Sequence, residues 1–204
     1  MKQSLFTMEH ARQLTADTYE LVLSGDTSAI TAPGQFVNIQ LPGKFLRRPI
    51  SICNWTKDAL LLLVRVVGEG THDLVRCVPG TELDVLSGLG NGFDLAKGGT
   101  HPILLGGGIG IAPLYGLAQR MLEAGIAPTV GLGFRSGGDA FYLEEFGKLG
   151  CRLMVATEDG SLGTKGFVTD LVRHVPECGY AFVCGPTPML KSVAEVAKEY
   201  GVRC

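Results

Sequence analysis

Four short segments carry residues whose types and spacing could do chemistry. The first is Gly106-Gly107-Gly108-Ile109-Gly110, which follows the apolar run from Pro102 to Leu105. Glycine lets a backbone come close to a bulky ligand because no Cβ intervenes. Pro113 suits the first turn of a helix, where its missing N–H costs nothing, so the order reads strand, glycine turn, helix. A helix N-terminus at such a turn offers unpaired N–H groups and partial positive charge to a phosphate. The segment stops short of the GxGxxG fingerprint, since Pro113 stands at the third glycine position. Read alone, it also describes a tight turn with no ligand. Two further segments have the same character. Glu158-Asp159-Gly160-Ser161, with Gly163 and Gly166 close behind, follows the run 152–157, and Cys184-Gly185-Pro186-Thr187-Pro188-Met189 follows the run 180–184. Glu158 and Asp159 equally fit a solvated turn, and Cys184 equally fits a small packed thiol.

The fourth segment is FLRRPISIC, residues 45–53, with Gly68-Glu69-Gly70-Thr71 about one hairpin later. Arginine presents a forked cation suited to phosphate oxygens. A serine hydroxyl such as that of Ser51 donates to or accepts from a ring nitrogen. Taken alone, the segment is also what a surface arginine pair beside an ordinary strand looks like.

These residues must be positioned by two kinds of element. Up to residue 97 the chain runs in short extended stretches, at 18–23, 35–41, 50–54, 60–67 and 82–86. Pro33-Gly34, Pro42-Gly43, Lys57-Asp58 and Pro79-Gly80 punctuate them, which predicts a small antiparallel β-barrel. From residue 101 the rhythm changes. Strands at 103–106, 129–134, 152–157 and 180–184 alternate with helical stretches at 112–124, 142–149, 166–174 and 187–200. Strand–helix repetition predicts an α/β domain with an open parallel sheet. The joint falls at Lys97-Gly98-Gly99-Thr100, giving domains 1–98 and 99–204. In such sheets ligands bind beyond the carboxyl ends of the strands, where three of the four segments lie.

Composition narrows the classes. The chain has 204 residues, enough for two small domains, and 46% are apolar, so a sizeable core can be buried. Lys plus Arg is 18 against 20 Asp plus Glu, a formal charge of −2 with no basic run, which argues against nucleic-acid binding. The stretch 101–119 carries no acid, Lys or Arg, but it is short and glycine-broken for a membrane span. The N-terminus lacks a signal-peptide pattern, so the expected location is the cytoplasm. Six cysteines form no CxxC pair, and no His stands at zinc-finger spacing. They read as free thiols in a reducing compartment.

R-P-I-S at 48–51, G-E-G-T at 68–71, G-G-G-I-G-I-A-P-L at 106–114 and C-G-P-T-P-M at 184–189 occur in this order. Together they resemble the ferredoxin reductase family of flavoproteins. With G-L-G-N-G-F at 88–93 the resemblance narrows to the electron-transfer subunits of NAD-dependent (type B) dihydroorotate dehydrogenases, and it covers essentially the whole chain. The resemblance implies an FAD-binding barrel followed by an NAD-binding domain. Arg48 would hold the FAD pyrophosphate, and Ser51 with the backbone around Pro49 and Ile50 would line the isoalloxazine. Leu63, Val64 and Arg65 would form the adjacent wall, and Gly70 with Thr71 would close the phosphate end. The wider family often has Tyr where Ile50 stands, so an aliphatic contact is expected there. Gly107, Gly108 and Gly110 would face the NAD pyrophosphate, and Cys184, Gly185 and Pro186 would border the nicotinamide.

Ser51 and Cys184 are thus the expected catalytic residues, with orienting or electronic roles rather than acid–base ones. The cofactor carries the redox chemistry, and the protein must bring nicotinamide C4 to about 3–3.5 Å from flavin N5. NAD against NADP stays open on the residues: Arg135-Ser136 could meet a 2′-phosphate, while Glu144 and Glu145 would oppose it. The resemblance favours NAD. It also implies a dihydroorotate dehydrogenase catalytic subunit as partner, in a heterotetramer, serving pyrimidine biosynthesis. A 2Fe–2S cluster bound by four cysteines of a C-terminal segment is a further implication. Such a cluster needs clustered ligands, and none lie in these residues. The expectation is that the chain continues past Cys204 or works without the cluster. Two other readings stay open: the flavin subunit of another redox complex, of ferredoxin–NADP reductase or hydrogenase type, and a nucleotide-sensing module without turnover.

Overall fold

The computed structural model describes residues 1–175 and 177–204. It contains two compact units, Met1–Phe93 and Asp94–Cys204.

The first unit is a closed six-stranded barrel. Its strands are β1 (Lys2–Gln13), β2 (Thr18–Gly25), β3 (Phe36–Gln40), β4 (Arg48–Trp55), β5 (Ala59–Arg65) and β6 (Glu82–Leu89), and a short helix, α1 (Glu69–Val75), links β5 to β6. The order around the barrel is β1-β2-β5-β4-β3-β6, and every pairing is antiparallel. Alternation decides which side chains enter. In β3, Val37 and Ile39 are buried while their neighbours are half-buried, the period-two pattern of a sheet with one face on a core. Two elements were not foreseen from the residues. In β1 only Phe6 and Met8 are fully buried, and the rest of the strand is mostly polar and exposed. It is held as a strand by partners on both sides, β2 and β6. Helix α1 is masked by Gly68 and Gly70, poor helix formers. The structure starts it at Glu69, with the Thr71 hydroxyl closing the turn.

The second unit is a five-stranded parallel sheet in the order β10-β9-β8-β7-β11. Its elements run β7 (Ile103–Gly107), α2 (Ala112–Glu123), β8 (Thr129–Phe134), α3 (Leu143–Lys148), β9 (Arg152–Thr157), β10 (Thr164–Lys165), β11 (Ala181–Cys184) and α4 (Thr187–Glu199). The helical stretch expected at 166–174 is a tighter 3-10 helix over Val168–His174. Its β-branched Val168, Thr169 and Val172 are poor α-helix formers. The division between units falls before the Lys97–Thr100 joint. Gly98 is buried in the second unit, where a Cβ on it would lie 3.0 Å from Phe182 and 3.2 Å from Pro102. Among the described residues, no helix is long and apolar enough to cross a membrane.

Candidate functional site

In the barrel, β4 pairs with β3 from Ile39↔Arg48 to Phe36↔Ser51. Its register with β5 begins only at Ile52↔Leu62. Arg48, Pro49, Ile50 and Ser51 therefore lie where β4 and β5 part, with strand pairing on one side. Pro49 and Ser51 are exposed, whereas Ile50 is 8% exposed and belongs to the barrel core. The aliphatic side-chain contact expected of Ile50 is thus turned inward, and what it presents at the strip is backbone. Across the gap, Val64 also packs in the core and Leu63 is buried. Arg65 is tied to Asp17, Nε to Oδ2 at 2.7 Å. Burial alone would raise the Asp17 pKa, but hydrogen bonds from Arg65 and Thr18 outweigh it and hold the carboxyl below its usual range.

Arg48 lies over the start of α1. A Cβ built on Gly70 would run into the Arg48 guanidinium, so only glycine lets the side chain rest there. Thr71 is differently employed. Its hydroxyl accepts from the Val67 and Gly68 N–H groups at 3.0 and 3.3 Å and donates to the Gly68 carbonyl at 3.0 Å. It shapes the turn, while the cation comes from Arg48. A forked cation in a glycine cradle, beside a strip of backbone and the Ser51 hydroxyl, fits a cofactor that joins a phosphate to a polar planar ring.

In the second unit the sheet register brings the carboxyl ends of four strands to one edge. Cys184 is level with Gly106, Gly107 with Gly133, and Phe134 with Thr157. The glycines here do different jobs. A Cβ on Gly110 would lie 2.6 Å from the Cys184 carbonyl carbon and 2.8 Å from Gly185 Cα. One on Gly107 would meet the Met189 sulfur, and one on Gly185 would lie 2.5 Å from it. Gly110 is glycine because the turns after β7 and β11 pack backbone to backbone there, whereas Gly107 and Gly185 leave room for the Met189 side chain. Gly108 has φ +53° and nothing within 4 Å of its missing Cβ, so it alone of the three keeps open space. Helices α2 and α4 start at this edge, and neither has a side-chain cap. The Ala112 N–H at the start of α2 donates to the Ile109 carbonyl of a 3-10 turn over Gly108–Ile111, so the N–H groups that suit an anion are those opening that turn and α4. The Cys184 thiol is pushed up in pKa by burial, so it is neutral near pH 7.

Several other residues near this edge have partners. Asp159 accepts from the Ser161 N–H at 2.9 Å and hydroxyl at 2.6 Å, and those bonds hold its carboxyl low. Glu158 is exposed. The Ser136 hydroxyl donates to Asp139 Oδ2 at 2.8 Å, a partner that the residue pattern did not reveal. Arg135 is exposed, and Glu144 is 3.8 Å from Lys148. Among the described residues no group of three or more His, Cys, Asp or Glu is placed to hold a metal ion, and the cysteines are free thiols. These residues do not fit a 2Fe–2S cluster.

Comparison with known proteins agrees with this geometry. Residues 104–195 match the family model described as an oxidoreductase NAD-binding domain. The chain is 42% identical to the electron transfer subunit of dihydroorotate dehydrogenase B (NAD(+)) from Shouchella clausii, over 97% of this chain and 80% of that protein. It is 41% identical to the subunit of the same name from Fusobacterium nucleatum, over 98% and 82%. Among solved structures, the NADH-dependent reduced ferredoxin-NADP oxidoreductase studied for flavin-based electron bifurcation superposes with TM-score 0.88 at 31% identity, covering 98% of this chain and 74% of that one. The ferredoxin NADP+ reductase of Neisseria gonorrhoeae, with bound FAD and NADP, shares the fold at TM-score 0.82 and 14% identity, over 98% and 92%. With the barrel, the parallel sheet and the ordered motifs in place, these likenesses show that the chain belongs to the family of electron transfer subunits of NAD-dependent dihydroorotate dehydrogenase B.

Proposed function

We propose that this chain passes electrons between a dihydroorotate dehydrogenase catalytic subunit and NAD through bound FAD, in the cytoplasm, as part of pyrimidine biosynthesis. The observation that carries this reading is the Arg48 guanidinium resting over Gly70, beside the one-sided strip from Arg48 to Ser51, on a chain of this family. FAD when bound supplies the ability to accept two electrons as a hydride and release them singly, which no side chain has. The chain's own residues bind and orient. Arg48 would hold the FAD pyrophosphate, with Gly70 giving it room. Ser51 would present its hydroxyl to the ring system, and the backbone at Pro49, Ile50, Leu63 and Val64 would line it. In the second unit, Gly108 with the 3-10 turn it opens and the uncapped start of α4 would hold the NAD pyrophosphate, with Gly107 and Gly110 shaping the turn. Cys184, Gly185 and Pro186 would border the nicotinamide. The thiol of Cys184 stays protonated, which suits an orienting contact rather than proton transfer. Asp139 engages Ser136 with a carboxylate where a 2′-phosphate would want a cation, which supports NAD over NADP. A heterotetramer with the catalytic subunit belongs to the same reading.

The purified chain, reconstituted with FAD, should show bound flavin absorbance that bleaches on anaerobic addition of NADH. Bound flavin that NADH leaves oxidised would favour a nucleotide-sensing module. Absence of bound flavin would defeat the reading.

A further inference from the structure

The loop between β3 and β4, residues 41–47, has no place in the reading above, yet it is tied firmly to α1. Lys44 Nζ lies 2.9 Å from Glu69 Oε2 and 3.1 Å from Asp73 Oδ2. The two acids are four residues apart on α1 and so share a face. The backbone beneath Lys44 is fixed as well. Its N–H donates to the Leu41 carbonyl at 3.2 Å, Gly43 turns with φ +70°, and the Gln40 amide donates to the Leu41 and Lys44 carbonyls. Lys44 is the least exposed of the three, with 26% of its side chain open against 88% for Glu69 and 46% for Asp73. His72 Nδ1 lies 3.4 Å from the other Asp73 oxygen, and the Cys77 thiol lies 3.5 Å from the Asp73 carbonyl.

The charges near Arg48 give this cluster a purpose. Glu69 is adjacent in sequence to Gly70, over which Arg48 rests. Without Lys44, α1 would set two unpaired carboxylates near the Arg48 cation, and these would oppose the approach of a pyrophosphate. Lys44 also anchors the loop that leads directly into Arg48. Its hydrogen bonds to Glu69 and Asp73 raise its pKa, so it stays charged.

We propose that Lys44 is a positioning residue for FAD: it neutralises Glu69 and Asp73, so that Arg48, which lies over Gly70 and donates to the Leu46 carbonyl, meets a pyrophosphate without competition from these carboxylates. This rests on the FAD reading above. Exposed ion pairs add little to folding, so the effect should fall on anion binding and leave the fold intact.

The test is titration of the flavin-stripped full chain with FAD, followed by flavin fluorescence. Lys44→Met, which keeps the aliphatic stem, should weaken FAD binding about ten-fold, while Lys44→Arg should stay within about three-fold. Adding Glu69→Gln and Asp73→Asn to Lys44→Met should return affinity to within about three-fold of the parent, a rescue that a purely packing role would not produce. Melting temperatures of all variants should agree within about 2 °C. Lys44→Met binding FAD like the parent overturns the proposal. So does a triple variant that stays as weak as Lys44→Met. If the parent binds FAD and Arg48→Ala does not, those outcomes sink the Lys44 role alone. A parent that binds no FAD removes both.

Discussion

In the barrel, Gly70 makes room for a cation; in the sheet, Gly107 and Gly110 make room for the protein's own backbone and the Met189 sulfur. In the function proposed above, the barrel's grip would rest on one side chain lying in a cradle and act mainly through charge, and the sheet's on main-chain groups whose placement depends on two turns touching. The same residue type, read as ligand-facing in both units, has opposite neighbours. A glycine-rich turn therefore tells that a Cβ is unwelcome, but not whether a ligand or the fold excludes it.

That contrast can be broken most severely at Gly110. Alanine there would press on the Cys184 carbonyl and Gly185, both backbone, at a cost of about 1–3 kcal/mol from overpacking. Lower thermal stability together with weaker NADH binding is the expected outcome, measured by melting and by NADH titration. Gly108→Ala, with open space but a left-handed backbone, should cost less, about 1 kcal/mol. Equal losses at the two positions would erase the distinction between packing and open glycines.

Next in size is Arg48→Ala, which should lower FAD affinity about 10- to 100-fold. Arg48→Lys should recover only part, because a point charge lacks the fork. Flavin titration at two salt concentrations checks it, and NADH binding to the sheet unit should be unchanged.

The smallest effect concerns Asp17, whose carboxyl is held below its unfolded value of 3.8. A depressed carboxyl contributes stability that is present above the unfolded pKa and lost as pH falls through the folded one. Arg65→Met should therefore lower the parent's melting temperature near neutral pH and leave less to lose on acidification below about pH 4. Parallel pH–melting curves for the two proteins would contradict it.

The elements that sequence reading located to the residue, β8 and β9, are apolar runs with clear stops at both ends. Those it missed lack such signals. β1 sends only Phe6 and Met8 fully inward, and α1 opens on glycines. Arg48 and Ser51 could be singled out as candidates because residue type and a neighbouring proline narrow their use. The Ile50 side chain, expected to give an aliphatic contact, turns into the barrel core because the phase of alternation is set by its pairing with Val37. Thr71 was expected to close the phosphate end and Ser136 to stand where a 2′-phosphate could be met, but the partners of their hydroxyls are set by the fold, by a local turn at Gly68 and by Asp139. Lys44 gave no sign at all, since its acids lie 25 and 29 positions away in sequence, as 69 − 44 and 73 − 44.

The barrel's seam is formed by its first and last strands, Lys2 facing Ser87 and Thr7 facing Glu82. Ring closure must therefore wait until nearly ninety residues have left the ribosome, and it joins the most distant parts of the unit, a pairing with a high loop-closure cost. Until then β1 and β6 each present an open edge to any strand nearby. The opening dozen residues, so unremarkable in composition, are what retire both edges at once.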